Sequence, residues 1–241
     1  MTTEVDIALK GGRSLHAALA EPPPAVANGA GVLVVHEALG LTDDMRRIAT
    51  RFADNGYTAL APDFLGAGWK PLCIARFVQG IGKVGSGRPY RELAAAQQWL
   101  GHRDGVDPGR IGVIGLCMGG GFALLYAARG GQPVQVVAPF YAAVPKDDAI
   151  LGDLCPTVAS YGGRDFAFRG GAARLEEGLT RLGIEHDVRT YPGAGHGFLS
   201  RHGPWLTRIE RVTPMGGGYD EAAAEDAWAR MLAFFGTRLS A

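Results

Sequence analysis

The sequence predicts an α/β fold: a mainly parallel sheet covered on both faces by helices. Three observations predict it. Short apolar runs alternate with helix-patterned segments almost throughout the chain, and alternation of this kind builds parallel strands joined by crossover helices. The central runs are continuously apolar rather than apolar on alternate residues, as strands buried on both faces require. The chain has 241 residues, of which 47% are hydrophobic and 20% charged, enough for one sizeable core. Residues 1–241 therefore read as a single domain.

The elements follow in order. "VDIAL" and "LHAALAE", separated by the turn residues "KGGRS", read as an opening strand pair. "GVLVVHE" (31–37) is a buried central strand. Thr42 caps the helix "DDMRRIATRFADNG", whose first turn is acidic and whose end carries Asn55 and Gly56. "YTALAPDF" is a strand, "RPYRELAAAQQWLGHR" a helix and "RIGVIGL" a buried strand. "CMGGGFALLYAARGG" is a helix, and "VQVVAPFYA" and "TVASYGG" are strands. "GGAARLEEGLTRLG" is an amphipathic helix, "HDVRTYPG" a strand, and "EAAAEDAWARMLAFFGTRL" the closing helix. Two segments break the alternation, residues 65–87 and 199–220. Both are long, glycine-rich and aromatic, and both read as loop or lid insertions.

Charge narrows the function classes. The 24 basic and 24 acidic residues cancel, and no basic run appears, which argues against nucleic acid or an anionic membrane as partner. No window reaches the roughly 18 apolar residues of a membrane span. The three cysteines, Cys73, Cys117 and Cys155, do not form a disulfide framework, and the first residues lack a signal-peptide pattern. The expectation is a cytoplasmic protein, a monomer or small homo-oligomer. "HEALG" lacks the second histidine of a zinc helix, and the glycines around Cys117 form no dinucleotide or phosphate loop. No metal or cofactor is expected.

The stretch "GLCMGG" (115–120) carries the chemistry. A lone free cysteine is most often a small buried hydrophobe. Cys117, however, stands where a strand turns into a helix, with Gly115 and Gly119 on either side. A G-x-nucleophile-x-G turn strains its central residue and lifts the side chain above the sheet. The two glycines are needed because side chains there would collide with the neighbouring strand and helix. The helix N-terminus favours a thiolate. A thiol nucleophile needs a base and a group that orients the base. His196, in the glycine-rich loop "YPGAGHGFLS", is the best placed of six histidines. His36 ends a central strand and reads as structural, and His16, His102, His186 and His202 read as surface residues. Asp165 follows the strand "TVASYGG" and supplies the acid. The order Cys117, Asp165, His196 is the nucleophile–acid–histidine order of α/β-hydrolases.

With these residues in place, the chain resembles the dienelactone hydrolase family of α/β-hydrolases. The resemblance rests on "VVHEALG", "APDFLG", "GVIGLCMGGGFAL", "YGGRD" and "YPGAGHGF", spread over about residues 31–200 in family order. It implies an α/β-hydrolase fold and hydrolysis of a lactone such as dienelactone, an intermediate of catechol breakdown. It implies Cys117, Asp165 and His196 as the triad. It also implies that Glu37 pairs with the resting thiol and with an arginine until substrate disturbs the pairing. The backbone amides of Met118 and Ala38 would form the oxyanion hole. Arginines would hold the substrate carboxylate, with Arg201 after the histidine and Arg76 or Arg88 near the 65–87 insertion as candidates. Cys73 and Cys155 read as structural. The expected partner is a small ester or lactone. Two alternatives stay open: a carboxylesterase of other substrate range, and a non-catalytic ligand-binding or redox-sensing protein on the same scaffold.

Overall fold

The computed structural model describes residues 1–66, 68–203, 207–208 and 213–240. Eight strands form one sheet: β1 (Thr3–Leu9), β2 (Arg13–Ala20), β3 (Gly31–Val35), β4 (Thr58–Pro62), β5 (Ile111–Leu116), β6 (Val136–Phe140), β7 (Thr157–Gly162) and β8 (His186–Tyr191). Their spatial order is β1-β2-β4-β3-β5-β6-β7-β8. β2 runs antiparallel to β1 and β4, and every later pairing is parallel. The six described helices are α1 (Asp43–Asp54), α2 (Lys70–Ile81), α3 (Arg88–Gly101), α4 (Met118–Arg129), α5 (Gly171–Leu182) and α6 (Glu221–Arg238). None of them is long and apolar enough to cross a membrane.

Two cores, one on each face, hold the helices to the sheet. α1 and α6 bury Met45, Ile48, Phe52, Trp228, Met231 and Phe235 against one face. α3, α4 and α5 bury Leu93, Phe122, Leu175 and Leu179 against the other. The inner strands β3, β4, β5, β6 and β7 are buried at every residue, which is why their sequences are continuous apolar runs. The edge strands β1 and β8 are only partly buried and carry charged residues, which blunts an otherwise pairing-competent sheet edge.

Local chemistry sets the ends. Thr42 Oγ1 accepts from Met45 N at 3.4 Å, and Asn55 caps the end of α1, as read from the sequence. Pro139 lies in an inner strand although it has no N–H to donate. The β6–β7 ladder is correspondingly sparse, pairing at Val137 with Thr157 and at Phe140 with Ser160. It closes just beyond, where Tyr141 N donates to Ser160 O at 2.8 Å.

The 65–87 segment, expected to be an irregular insertion, holds a helix. Ile74, Phe77, Val78 and Ile81 recur at helical spacing, and Pro71 sits in the first turn of α2, where its missing N–H costs nothing. The glycines that obscured this pattern lie at the flanks. Of the 199–220 segment, residues 204–206 and 209–212 lie outside the described residues.

Candidate active site

The site lies at the carboxyl ends of the parallel strands, where open α/β sheets bind ligands. Cys117 follows β5 and precedes α4, with φ 54 and ψ −117. This left-handed conformation is strained for a side chain with a Cβ. The turn is locked on both sides: Cys117 N donates to Phe140 O at 3.0 Å, and Cys117 O accepts from Gly120 N and Gly121 N at 3.0 and 3.2 Å. The flanking glycines are required by close approach. A Cβ on Gly115 would lie 2.8 Å from Ala123 Cβ in α4, and one on Gly119 2.5 Å from Val35 O in β3. These are the collisions with helix and strand that the sequence suggested.

Asp165 and His196 come from the loops after β7 and β8. Asp165 Oδ2 accepts from His196 Nδ1 at 2.6 Å. Its other oxygen accepts from the Phe168 amide at 3.2 Å, so the carboxylate is fixed from both sides. The Phe168 ring stacks on the imidazole with centroids 5.0 Å apart, and Tyr141 lies against it at 4.9 Å. The loops are laced through their backbones. Arg164 N donates to Ala194 O, Phe166 N to Pro214 O, and His196 N to Met215 O, each within 2.8–2.9 Å. The end of the 199–220 segment thus braces the loops that carry Asp165 and His196. A side chain on Gly195 would strike the backbone of Gly216, which accounts for the glycines on both strands of this stack.

Burial opposes protonation of His196, but the Asp165 carboxylate on Nδ1 and the nearby sulfur of Cys117 outweigh it and raise the pKa from 6.5 to about 9. Nε2 is buried and makes no hydrogen bond of ordinary geometry among the described residues. It is a proton carrier without a fixed acceptor, on the side that feels Cys117. Cys155, by contrast, is pushed up to about 12 by burial, as suits a structural thiol.

Glu37, buried just past β3, holds two partners. Oε2 accepts from Ser200 Oγ at 3.2 Å, and Oε1 pairs with His202 Nε2. Ser200 Oγ also bonds the Tyr141 hydroxyl at 2.9 Å. The partners of Glu37 among the described residues are therefore a hydroxyl and an imidazole, not the arginine that the resemblance implied. His202 is correspondingly a largely buried side chain rather than the surface residue it seemed, because the chain after Ser200 folds back over Glu37. Tyr141 has φ 40. Burial, together with the charges of Glu37 and Cys117, holds its phenol well above the ordinary value, so it stays a hydroxyl donor. Glu37, Ser200, His202 and Tyr141 thus form one polar cluster, and Tyr141 in turn packs on His196.

The loop carrying Glu37 and Ala38 is pinned by His36. His36 Nδ1 donates to Glu37 O at 2.7 Å, and Nε2 accepts from Phe64 N at 3.1 Å. Burial lowers its pKa, so the ring is neutral and joins the ends of β3 and β4, the structural part expected of it. Neither the Met118 nor the Ala38 amide donates to a backbone acceptor among the described residues.

The candidate arginines stand apart from this cluster. Arg201 is exposed; it donates to the Tyr219 hydroxyl at 2.8 Å and lies over that ring. Arg76, exposed on α2, and Arg88 line a recess of about 80 Å³ beside Cys73 and Phe77. Arg88 is bonded to the buried Glu92 at 2.6 Å. Phe168, Tyr141, Ser200 and His202 escaped the sequence reading. Only Tyr141 had a signal, its place at the end of an inner strand. The others depend on contacts between distant segments.

Residues 15–239 match the dienelactone hydrolase family. A candidate carboxymethylenebutenolidase of Salmonella typhimurium is 30% identical over 218 residues, covering 85% of this chain and 76% of that one. A candidate dienelactone hydrolase from Klebsiella pneumoniae superposes with a TM-score of 0.77 at 26% identity, covering 98% of both chains. The dienelactone hydrolase of Anabaena variabilis has the same fold, with a TM-score of 0.73 at 21% identity, covering 99% of this chain and 98% of that one. The laced strand-end loops and the cysteine elbow thus sit on the fold of that group, and the chain belongs to the dienelactone hydrolase family, an α/β-hydrolase.

Proposed function

We propose that the chain hydrolyses a lactone or activated carboxylic ester through Cys117, with His196 as acid and base and Asp165 orienting it. One observation carries the reading. A strained thiol stands at a strand–helix elbow beside an imidazole that is bonded to a buried carboxylate and holds its proton to about pH 9. At neutral pH this favours an imidazolium facing sulfur, the arrangement that activates a cysteine.

The thiolate sulfur attacks the carbonyl carbon, and the carbonyl π pair moves to oxygen. The oxyanion takes hydrogen bonds from the Met118 and Ala38 amides, neither of which donates to a backbone acceptor among the described residues. Collapse reforms the carbonyl and breaks the bond to the leaving oxygen, which takes the Nε2 proton of His196. An acyl-thioester remains. Water then attacks it as His196 Nε2 accepts the water proton. The second tetrahedral intermediate expels the thiolate, and the acid product loses its remaining proton to solvent and departs as a carboxylate. A thiolate is a good leaving group and returns when the departing alkoxide is poor, which suits enol esters better than amides.

Glu37 fits a gating part. Its carboxylate is held by Ser200 and His202, and Ser200 links it to Tyr141, which packs on His196, so substrate entry that disturbs this cluster changes the setting of the thiolate. Arg76 and Arg201 remain the guanidinium groups proposed for a substrate carboxylate, although each is exposed.

A panel of cis- and trans-dienelactone and aryl esters tests the reading on wild type, Cys117→Ser and Cys117→Ala. Wild-type turnover lost in both variants supports it. Hydrolysis that persists in Cys117→Ala overturns it. Activity on aryl esters with none on dienelactone would select a carboxylesterase.

A further inference from the structure

A recess of about 500 Å³ opens beside the elbow. Its walls are Met118, Phe122 and Leu125 of α4, Val78 and Ile81 of α2, and Val144 after β6. The size falls within the range of small-molecule sites. Lys146 and Asp147 stand on its rim. Val78 is 52% exposed and Val84, which also borders the recess, 38%, so apolar side chains are left in water beside a concave surface.

The recess adjoins the proposed catalytic centre at two places along the chain. Met118 lines it and follows Cys117 directly. Ala143 and Val144 line it and follow Tyr141, which packs on His196. Cys117, His196, Asp165 and Phe168 do not line it, so an arm that fills it reaches past Met118. The leaving oxygen must lie against His196 to collect its proton, so the recess falls to the other arm of the ester. A small carboxylated lactone would leave most of this apolar volume unfilled.

We infer that the recess between α2, α4 and the β6 loop binds the acyl arm of the substrate, and that the enzyme prefers carboxylic esters with an extended apolar acyl chain. This rests on Cys117 as nucleophile. Each methylene that moves from water into the recess raises kcat/KM by up to about fourfold.

The experiment measures kcat/KM for p-nitrophenyl acetate, butyrate and octanoate, which share one leaving group. In wild type the octanoate to acetate ratio is expected to reach at least tenfold. Leu125→Trp fills the recess and lowers that ratio at least tenfold. Val78→Asp places a carboxylate in the wall at a half-exposed helix position and lowers it severalfold, which carries the test if the tryptophan variant does not fold. A series of alkyl acetates, lengthened on the alcohol side, shows no such dependence. A flat acyl series, a ratio unmoved by Val78→Asp, or an equal rise in the alkyl series overturns the inference. Calorimetry of p-nitrophenyl octanoate and acetate on Cys117→Ala separates the two readings. Tighter binding of octanoate with no hydrolysis supports both. Hydrolysis that persists overturns the nucleophile alone, and equal binding of the two esters overturns the recess alone.

Discussion

The loops at the ends of β5, β7 and β8, which carry the proposed catalytic residues, and the flank formed by α2, which lines the neighbouring recess, are built in opposite ways. The loops are tied backbone to backbone: Cys117 to Phe140, Arg164 to Ala194, and His196 to Met215. Their glycines exist because chains pass too close for a Cβ. The α2 flank buries chiefly Phe77 and leaves Trp69, Leu72 and Val78 in solvent. Close backbone lacing fixes the groups proposed to make and break bonds. A loosely packed apolar flank, proposed to select the acyl arm, can change without disturbing the rest.

The largest effect breaks the laced side. Cys117→Ala is expected to lower turnover by about a thousandfold or more while leaving the circular dichroism spectrum intact, because the strained turn is held by main-chain bonds. Retained turnover would move the chemistry elsewhere.

Asp165→Asn comes next, with a loss of about a hundredfold or more. Its sharper signature is pH dependence. With a lactone or alkyl ester, whose leaving oxygen needs a proton, wild-type kcat/KM falls as pH rises through about 9, where His196 loses its proton. Removing the carboxylate that holds this proton moves that limb to lower pH. The sign also fixes a link to folding. The folded pKa lies above the unfolded one, so this stabilisation is complete below about pH 6.5 and is lost as pH rises through about 9. Denaturant midpoints across that window should decline less in Asp165→Asn.

Gly119→Ala tests the lacing directly. The added methyl would stand 2.5 Å from Val35 O, and overpacking of this kind costs about 1–3 kcal/mol. Val78→Ala on the α2 flank should shift stability by no more than about 0.5 kcal/mol. Equal costs by chemical denaturation would erase the contrast between the two regions.

On the thiol chemistry the smallest effect, severalfold, is expected from the cluster around Glu37. His202→Ala leaves a buried carboxylate with one fewer partner and should cost about 1–3 kcal/mol. Glu37→Gln keeps the shape and removes the charge. Both should change the rate of Cys117 alkylation severalfold, and unchanged thiol reactivity in both would detach Glu37 from the thiol.

Much of this was legible beforehand for a common reason. The inner strands are buried on both faces, so their composition betrays them. Cys117 and Asp165 each follow such a strand and His196 follows the edge strand β8, all within glycine-bearing turns, and the strand end itself announces the position. α2 was readable in the spacing of Ile74, Phe77, Val78 and Ile81, but its glycine-rich flanks made the whole segment look irregular.

The sequence by itself determined the layered sheet, the elbow and the order of the three proposed catalytic residues, because these depend on local periodicity and on turn chemistry. Only the tertiary structure decided the company they keep. Ser200 and His202 reach Glu37 across more than 160 residues of chain, and Tyr141 joins them through a strained backbone. The apolar recess is made by helices that meet only when the sheet is wound. Contacts between segments so far apart leave no period in the sequence, since any one partner is an ordinary serine, histidine or valine until the fold brings it to the other.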